Sequence, residues 1–175
     1  MRDLSLHLLD LAQNSITAGA NLVTVRMTLE DNGKGMSPEL LRRVTSPFAT
    51  TRTTRKVGLG IPMMKENAEK AGGTFSLESE EGKGTVLTAS MDTKNIDCLP
   101  PGDVSGTLLS LMLTNPLTPD FRIESKSPKG ESVFDTREVR AALGSDIPFN
   151  EPSVAAWLKE ALDEEMNTIF GGVWI

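Results

Sequence analysis

Cysteine is almost missing from this chain. Cys98 stands alone, so no internal disulfide can form, and a reducing, cytoplasmic compartment is the expectation. Long apolar runs are missing too. None approaches the roughly 20 residues that span a bilayer, and the opening MRDLSLHLLD lacks the apolar stretch of a secretion signal, so no membrane is expected as a partner. Positive charge is in deficit. The 18 Lys and Arg against 24 Asp and Glu leave a net charge of −6, and the pI is about 4.9. A broad nucleic-acid surface needs clustered cations, so nucleic acid is not expected as a partner either, although Arg52, Arg55 and Lys56 make a local basic patch. Aromatic residues are scarce at 5%, and histidine occurs once, as His7. What remains is ordinary for a globular protein. With 38% hydrophobic and 24% charged residues over 175 positions, the chain can bury one domain-sized core, or one core with a small appendix.

Hydrophobic periodicity predicts a helix over 4–18, with Leu4, Leu8, Leu11 and Ile16 at roughly helical spacing. Residues 22–29 (LVTVRMTL) alternate in the manner of a strand, and 31–36 (DNGKGM) form a glycine-punctuated turn. Ser37-Pro38-Glu39 has the form of an N-cap, a first-turn proline and a helical start. A polar stretch over 50–57 leads to a helix over 61–71 that Gly72-Gly73 closes. Residues 74–78 and 85–91 read as strands joined by a turn at Glu81-Gly82-Lys83-Gly84. Beyond Met91 the character changes: 97–106 is rich in turn residues, and 115–120 holds two prolines. Two helices are expected afterwards. One starts at Asp135, with Glu138 completing a capping box, and the other covers 152–166 with Trp157, Leu158 and Leu162 as packing residues on one face.

Four short segments carry candidate chemistry, and each has a plain alternative. Asp10 and Asn14 share a helix face one turn apart, where a carboxylate and an amide can orient a water and give oxygen to Mg²⁺; such pairs also decorate solvated faces. The run Asp31-Asn-Gly33-Lys-Gly35 can be a simple turn, or glycine backbone admitting a ligand beside a fixed carboxylate. Gly58-Leu59-Gly60 opens a helix, whose N-terminal amides suit phosphate, yet a flexible loop has the same composition. Gly82-Lys-Gly-Thr85 can be no more than a hairpin turn.

Taken in order, these segments resemble the GHKL superfamily of ATP-binding domains, which includes histidine kinases, gyrase, heat-shock chaperones and MutL-type repair ATPases. Residues 10–20 (DLAQNSITAGA) resemble the N-box, with a MutL-like tail. Residues 31–36 resemble the first glycine box, Pro47-Phe-Ala-Thr-Thr-Arg52 the F-box of histidine kinases, Gly58-Leu-Gly60-Ile the second glycine box, and Glu81-Gly-Lys-Gly-Thr85 the last one. The resemblance spans about residues 4–91. It implies an α/β fold: a two-layer sandwich with a mixed sheet and helices on one face, binding ATP and Mg²⁺. It further implies that Asn14 coordinates the magnesium, and that Asp31 accepts from the adenine amine in a pocket shared with Gly33, Gly35 and Thr85. Thr50, Thr51, Arg52 and Lys56 then lie on a lid over the phosphates, which Gly58 and Gly60 meet through backbone amides. Asp10 stands where hydrolysing members carry glutamate as general base, one methylene short of that reach.

The chain departs from the family between Asn14 and Asp31, where two strands are usual and the spacing suits one strand and a turn. Either the hairpin is shortened or a stretch is absent near Thr28–Glu30, and the strand-like ends around that point favour the second. His7 lies on the N-box helix with only six residues before it, so it is read as a helix residue and not as a phosphoacceptor. The ATP-binding domain is assigned to 1–93, and 104–175 to a small α-rich extension that either packs on the first or binds a partner. Removing 104–175 is expected to leave a nucleotide-binding domain; if Trp157 and Leu158 instead cover the sheet, the remainder aggregates. The expected function is that of a histidine-kinase-like regulator acting on a separate protein. The alternatives are an ATPase that dimerises with nucleotide and a non-catalytic nucleotide sensor.

Overall fold

The computed structural model describes residues 22–25, 28–45, 60–92, 95–100, 102–127, 130–144 and 146–170. In chain order the elements are β1 (Leu22–Val25), β2 (Thr28–Asp31), α1 (Pro38–Val44), α2 (Gly60–Lys70), β3 (Phe75–Glu80), β4 (Gly84–Ala89), α3 (Val104–Thr114), β5 (Asp120–Ser127), β6 (Gly130–Asp135), α4 (Thr136–Leu143) and α5 (Pro152–Phe170). The strands make one mixed six-stranded sheet in the order β3-β4-β2-β1-β5-β6. All its neighbours are antiparallel except β1 and β5, which run parallel. Parallel neighbours need a long crossover connection, and here everything from β2 to α3 lies between them.

The sheet has one apolar and one polar face. Leu29 pairs with Leu87, which pairs with Leu77, whereas the alternate register sets Glu30 beside Val86 and Glu78. On β5, Phe121, Ile123 and Ser125 are buried while Arg122 and Glu124 between them are partly exposed, the strand period of two. Helices α2, α3 and α5 supply Met64 and Ala68, Leu108, Leu111 and Met112, and Leu158, Leu162 and Met166 to the same buried cluster as Leu29, Leu87 and Phe121. The result is the two-layer α/β sandwich that the motifs implied.

Local signals explain much of this. Ser37 caps α1 by accepting from the Leu40 amide at 3.3 Å, and Pro38 fills its first turn. Asp135 caps α4, accepting from the Arg137 amide at 2.9 Å. Residues 22–29 correct the expectation of one strand. They contribute to two, because the register sets Val25 opposite Leu29 and Val23 opposite Asp31. Between the two strands the sequence reads Arg26-Met27, with none of the Gly, Pro, Asn or Asp that punctuates a turn, so alternation ran on unbroken. Residues 22–31 thus hold two antiparallel strands where the spacing suggested one strand and a turn.

The extension holds more than two helices. Helix α3 and strands β5 and β6 occupy 104–135, where prolines and an all-round apolar helix (Leu108, Leu109, Leu111, Met112) obscured the period. At the start of β5, the Phe121 amide donates to Thr136 Oγ1 at 2.8 Å, and Arg140 Nε donates to Asp120 Oδ1 at 2.7 Å. The Arg140 guanidinium also stacks 3.9 Å over the Phe149 ring, which ties α4 to the segment that leads into α5. Trp157 departs from its expected packing role: Leu158 and Leu162 are fully buried, but Trp157 is 49% exposed. The buried stripe runs Val154, Leu158, Leu162, Met166, and Trp157 lies beside it on the helix surface.

Candidate functional site

Strand β2 ends in Asp31, which is only 8% exposed. A carboxylate removed from water needs partners, and one oxygen has its own: Oδ1 accepts from the Gly33 amide at 2.8 Å. This is the side-chain turn that Asp favours ahead of a glycine, and it fixes the carboxylate orientation from within the loop. Among the described residues Oδ2 takes no hydrogen bond. Beside it in the sheet, Asp31 is in register with Thr85 of β4.

The loop over 31–36 is clasped to the β3–β4 hairpin. The Gly82 amide donates to the Lys34 carbonyl at 2.8 Å. The Met36 amide donates to Ser79 Oγ at 2.9 Å, while the Ser79 hydroxyl donates to the Gly84 carbonyl at 2.8 Å. Thr85 Oγ1 lies 2.9 Å from Ser79 Oγ; with the serine proton already given to Gly84, the threonine is the donor of that contact. Two glycines make the close approach possible. Gly35 sits at φ +64°, and a Cβ there would fall 2.0 Å from the Glu80 carbonyl oxygen. Gly84 sits at φ +111°, and a Cβ there would fall 1.9 Å from the carbonyl oxygen of Asp31 itself. No side chain larger than hydrogen fits either place.

The structure therefore brings Asp31, Gly33, Gly35 and Thr85 into one corner of the sheet. Ser79 joins them, a residue that sequence reasoning passed over because its role depends on hairpin register and on no motif. Gly60 is the buried first residue of α2, and that helix has no acidic residue in its first turn, which leaves its amide end suited to an anion. Asp10, Asn14, Thr50, Thr51, Arg52, Lys56 and Gly58 lie outside the described residues, so the expected base, magnesium ligand and lid do too. Among the described residues no group of three or more His, Cys, Asp or Glu could hold a metal ion, and no helix is long and apolar enough to cross a membrane.

Residues 4–95 match the family model described as histidine kinase-, DNA gyrase B-, and HSP90-like ATPase. The chain is 34% identical over 74 residues to sensor histidine kinase ZraS of Escherichia coli (strain K12), an alignment covering 42% of this chain and 16% of that protein. It is 39% identical over 70 residues to sporulation kinase E of Bacillus subtilis (strain 168), covering 40% of this chain and 9% of that one. The matched stretch is thus a small part of each kinase. Among solved structures, the N-terminal domain of a DNA repair protein aligns with a TM-score of 0.51 at 17% identity, over 76% of this chain and 52% of that one. That likeness is one of fold.

Proposed function

Because the chain belongs to the family of histidine kinase-, DNA gyrase B-, and HSP90-like ATPases, we propose that it binds ATP with Mg²⁺ and acts as a histidine-kinase-like regulator of a separate protein. One observation carries the reading. The buried Asp31 carboxylate is fixed through one oxygen by Gly33, and its other oxygen takes no hydrogen bond among the described residues. An acceptor held that way suits the exocyclic amine of adenine. Guanine carries a carbonyl at the same place and would set acceptor against acceptor. Gly33 and Gly35 leave room for the flat ring, and Thr85 lies beside the acceptor on the neighbouring strand. The α2 amide end at Gly60, with Gly58, would receive phosphate. Asn14 would hold the magnesium, Thr50, Thr51, Arg52 and Lys56 would close over the phosphates, and Asp10 would orient the attacking group. Magnesium would supply charge neutralisation between phosphate oxygens.

Calorimetry on Asp31→Asn tests the nucleotide site. The substitution puts a possible donor where an acceptor stood, at a cost of about 1–3 kcal/mol, so ATP affinity should fall by about five- to 150-fold; equal affinity for ATP would remove Asp31 from the site. GTP should bind the native chain far more weakly than ATP. Incubation with γ-labelled ATP, with and without cell extract, separates the functional readings. Label on another protein supports a regulator that transfers phosphate. Free phosphate with an ATP-dependent dimer would support instead a clamp-like ATPase, which the MutL-like tail Ser15-Ile-Thr-Ala-Gly-Ala20 favours as the second reading.

A further inference from the structure

Among the described residues strand β6 is the last in the sheet and is paired on its β5 side alone. Its outer N–H and C=O groups therefore face away from the sheet, the arrangement that accepts another strand. Natural edges are usually guarded by Lys or Pro, and β6 (GESVFD) has neither. Residues of β6 and of helices α4 and α5 line a groove of about 530 Å³ beside it. Val133 and Trp157 give it exposed apolar surface, at 55% and 49% exposure. Its charged lining residues are all acidic: Asp135, Glu138, Glu164 and Glu165. Asp135 is offset by Arg137 at 2.5 Å, and Glu165 holds Ser132. Glu138 and Glu164 are exposed and enter no ion pair among the described residues.

We propose that this groove docks an extended cationic segment of a partner protein, which adds to the sheet beside β6, sets its apolar side chains beside Val133 on the open face, and turns its cations to the helix side, with their stems along Trp157 and their charges on Glu138 and Glu164. Main-chain pairing gives such complexes affinity, and the pockets for alternate side chains give them specificity. The charge pattern selects this occupant. A second copy joined edge to edge would bring two acidic walls together, and like charges across an interface oppose association. Residues 171–175 (GGVWI) carry no cationic side chain and leave the acids unpaired. The groove lies three strands from Asp31 in the sheet order, roughly 14 Å at the usual strand spacing. The proposal therefore goes beyond the nucleotide reading and can be tested without nucleotide.

The probe is a capped, fluorescein-labelled peptide alternating Lys and Val, added to the full chain at low salt and followed by anisotropy. Three comparators accompany it: a Glu–Val peptide, and Lys–Val peptides N-methylated on all valines or on all lysines. Saturable binding of Lys–Val and none of Glu–Val is expected. One methylated peptide should lose at least about tenfold and the other should keep its affinity, because only one row of amides faces β6. The Glu138→Gln/Glu164→Gln double variant, changed at exposed positions and checked for an unaltered melting temperature, should also lose about tenfold. Equal binding of both methylated peptides would reduce the effect to charge attraction, and an unaltered double variant would move the site elsewhere; either overturns the proposal. So would tighter binding by a chain ending at Phe170, which assigns the groove to residues 171–175, or a dimer in sedimentation that the peptide dissolves.

Discussion

Ser79 has one proton to give and two lone pairs to fill, and the loop–hairpin clasp uses them all, on the Gly84 carbonyl, the Met36 amide and the Thr85 hydroxyl. Ser79→Ala strands those groups in a partly buried corner, so we expect a loss of about 1–3 kcal/mol in urea denaturation and weaker ATP binding by calorimetry. An unchanged ATP affinity would separate the clasp from the site. The hairpin glycines give a paired test. A methyl at Gly84 meets the Asp31 carbonyl, whereas a methyl at Gly82, also at positive φ, meets nothing within 4 Å. Gly82→Ala should cost only the conformational strain of about 1–2 kcal/mol, and Gly84→Ala clearly more, with ATP binding lost alongside. Similar denaturation midpoints for the two would refute the packing explanation. Asp31, Gly33 and Gly35 were legible in the sequence because they lie in one five-residue run and their chemistry is local. Ser79 was not, since it reaches Met36 only after the hairpin has folded.

Helix starts were the most legible elements, because a cap is a local hydrogen bond that a single residue type can announce. Ser37 and Asp135 both cap as expected. Asp135 does more than cap: the Arg137 side chain also donates to it, and that hydrogen bond, ahead of the opposing cost of burial, holds its carboxyl below the usual aspartate range. A carboxyl whose folded value is depressed contributes stability above the unfolded value, near 4, and loses it as pH falls through the lower folded value. The native chain should therefore exceed Asp135→Asn by about 1 kcal/mol at pH 7, kept small by the half-exposed Arg137. Urea midpoints for the two proteins should converge progressively below about pH 4. A gap that persists undiminished into strong acid would show that the charge is irrelevant and the effect steric. The β1–β2 hairpin shows the opposite case. Its two four-residue strands are separated in the sequence by Arg26-Met27, which carries no turn residue, and only the pairing to β4 and β5 fixes where one ends.

The feature least legible in the sequence is the pairing of β1 with β5, where Leu22 lies beside Asp120 and Val25 beside Ile123. No local pattern announces a parallel neighbour so far along the chain; what creates it is the need to continue an apolar sheet face under helices α3 and α5. Two outcomes were open for residues 104–175, a separable extension or one that shares the core. The packing favours the second. Leu108, Leu111, Phe121, Ile123, Leu158 and Leu162, each at most 2% exposed, share a cluster with Leu29, Met64, Ala68 and Leu87 from the family-matched part. Ending the chain at residue 103 would strip those helices and strands away and bare a contiguous apolar face together with an unpaired β1 edge, the conditions under which domains associate. We therefore expect residues 1–103 expressed alone to be insoluble, and co-expression with 104–175 as a second chain to restore solubility and an ATP-dependent rise in melting temperature. A soluble, monomeric 1–103 fragment whose melting temperature rises with ATP would show that β5, α3 and α5 are dispensable to the core, and that the extension serves a partner alone.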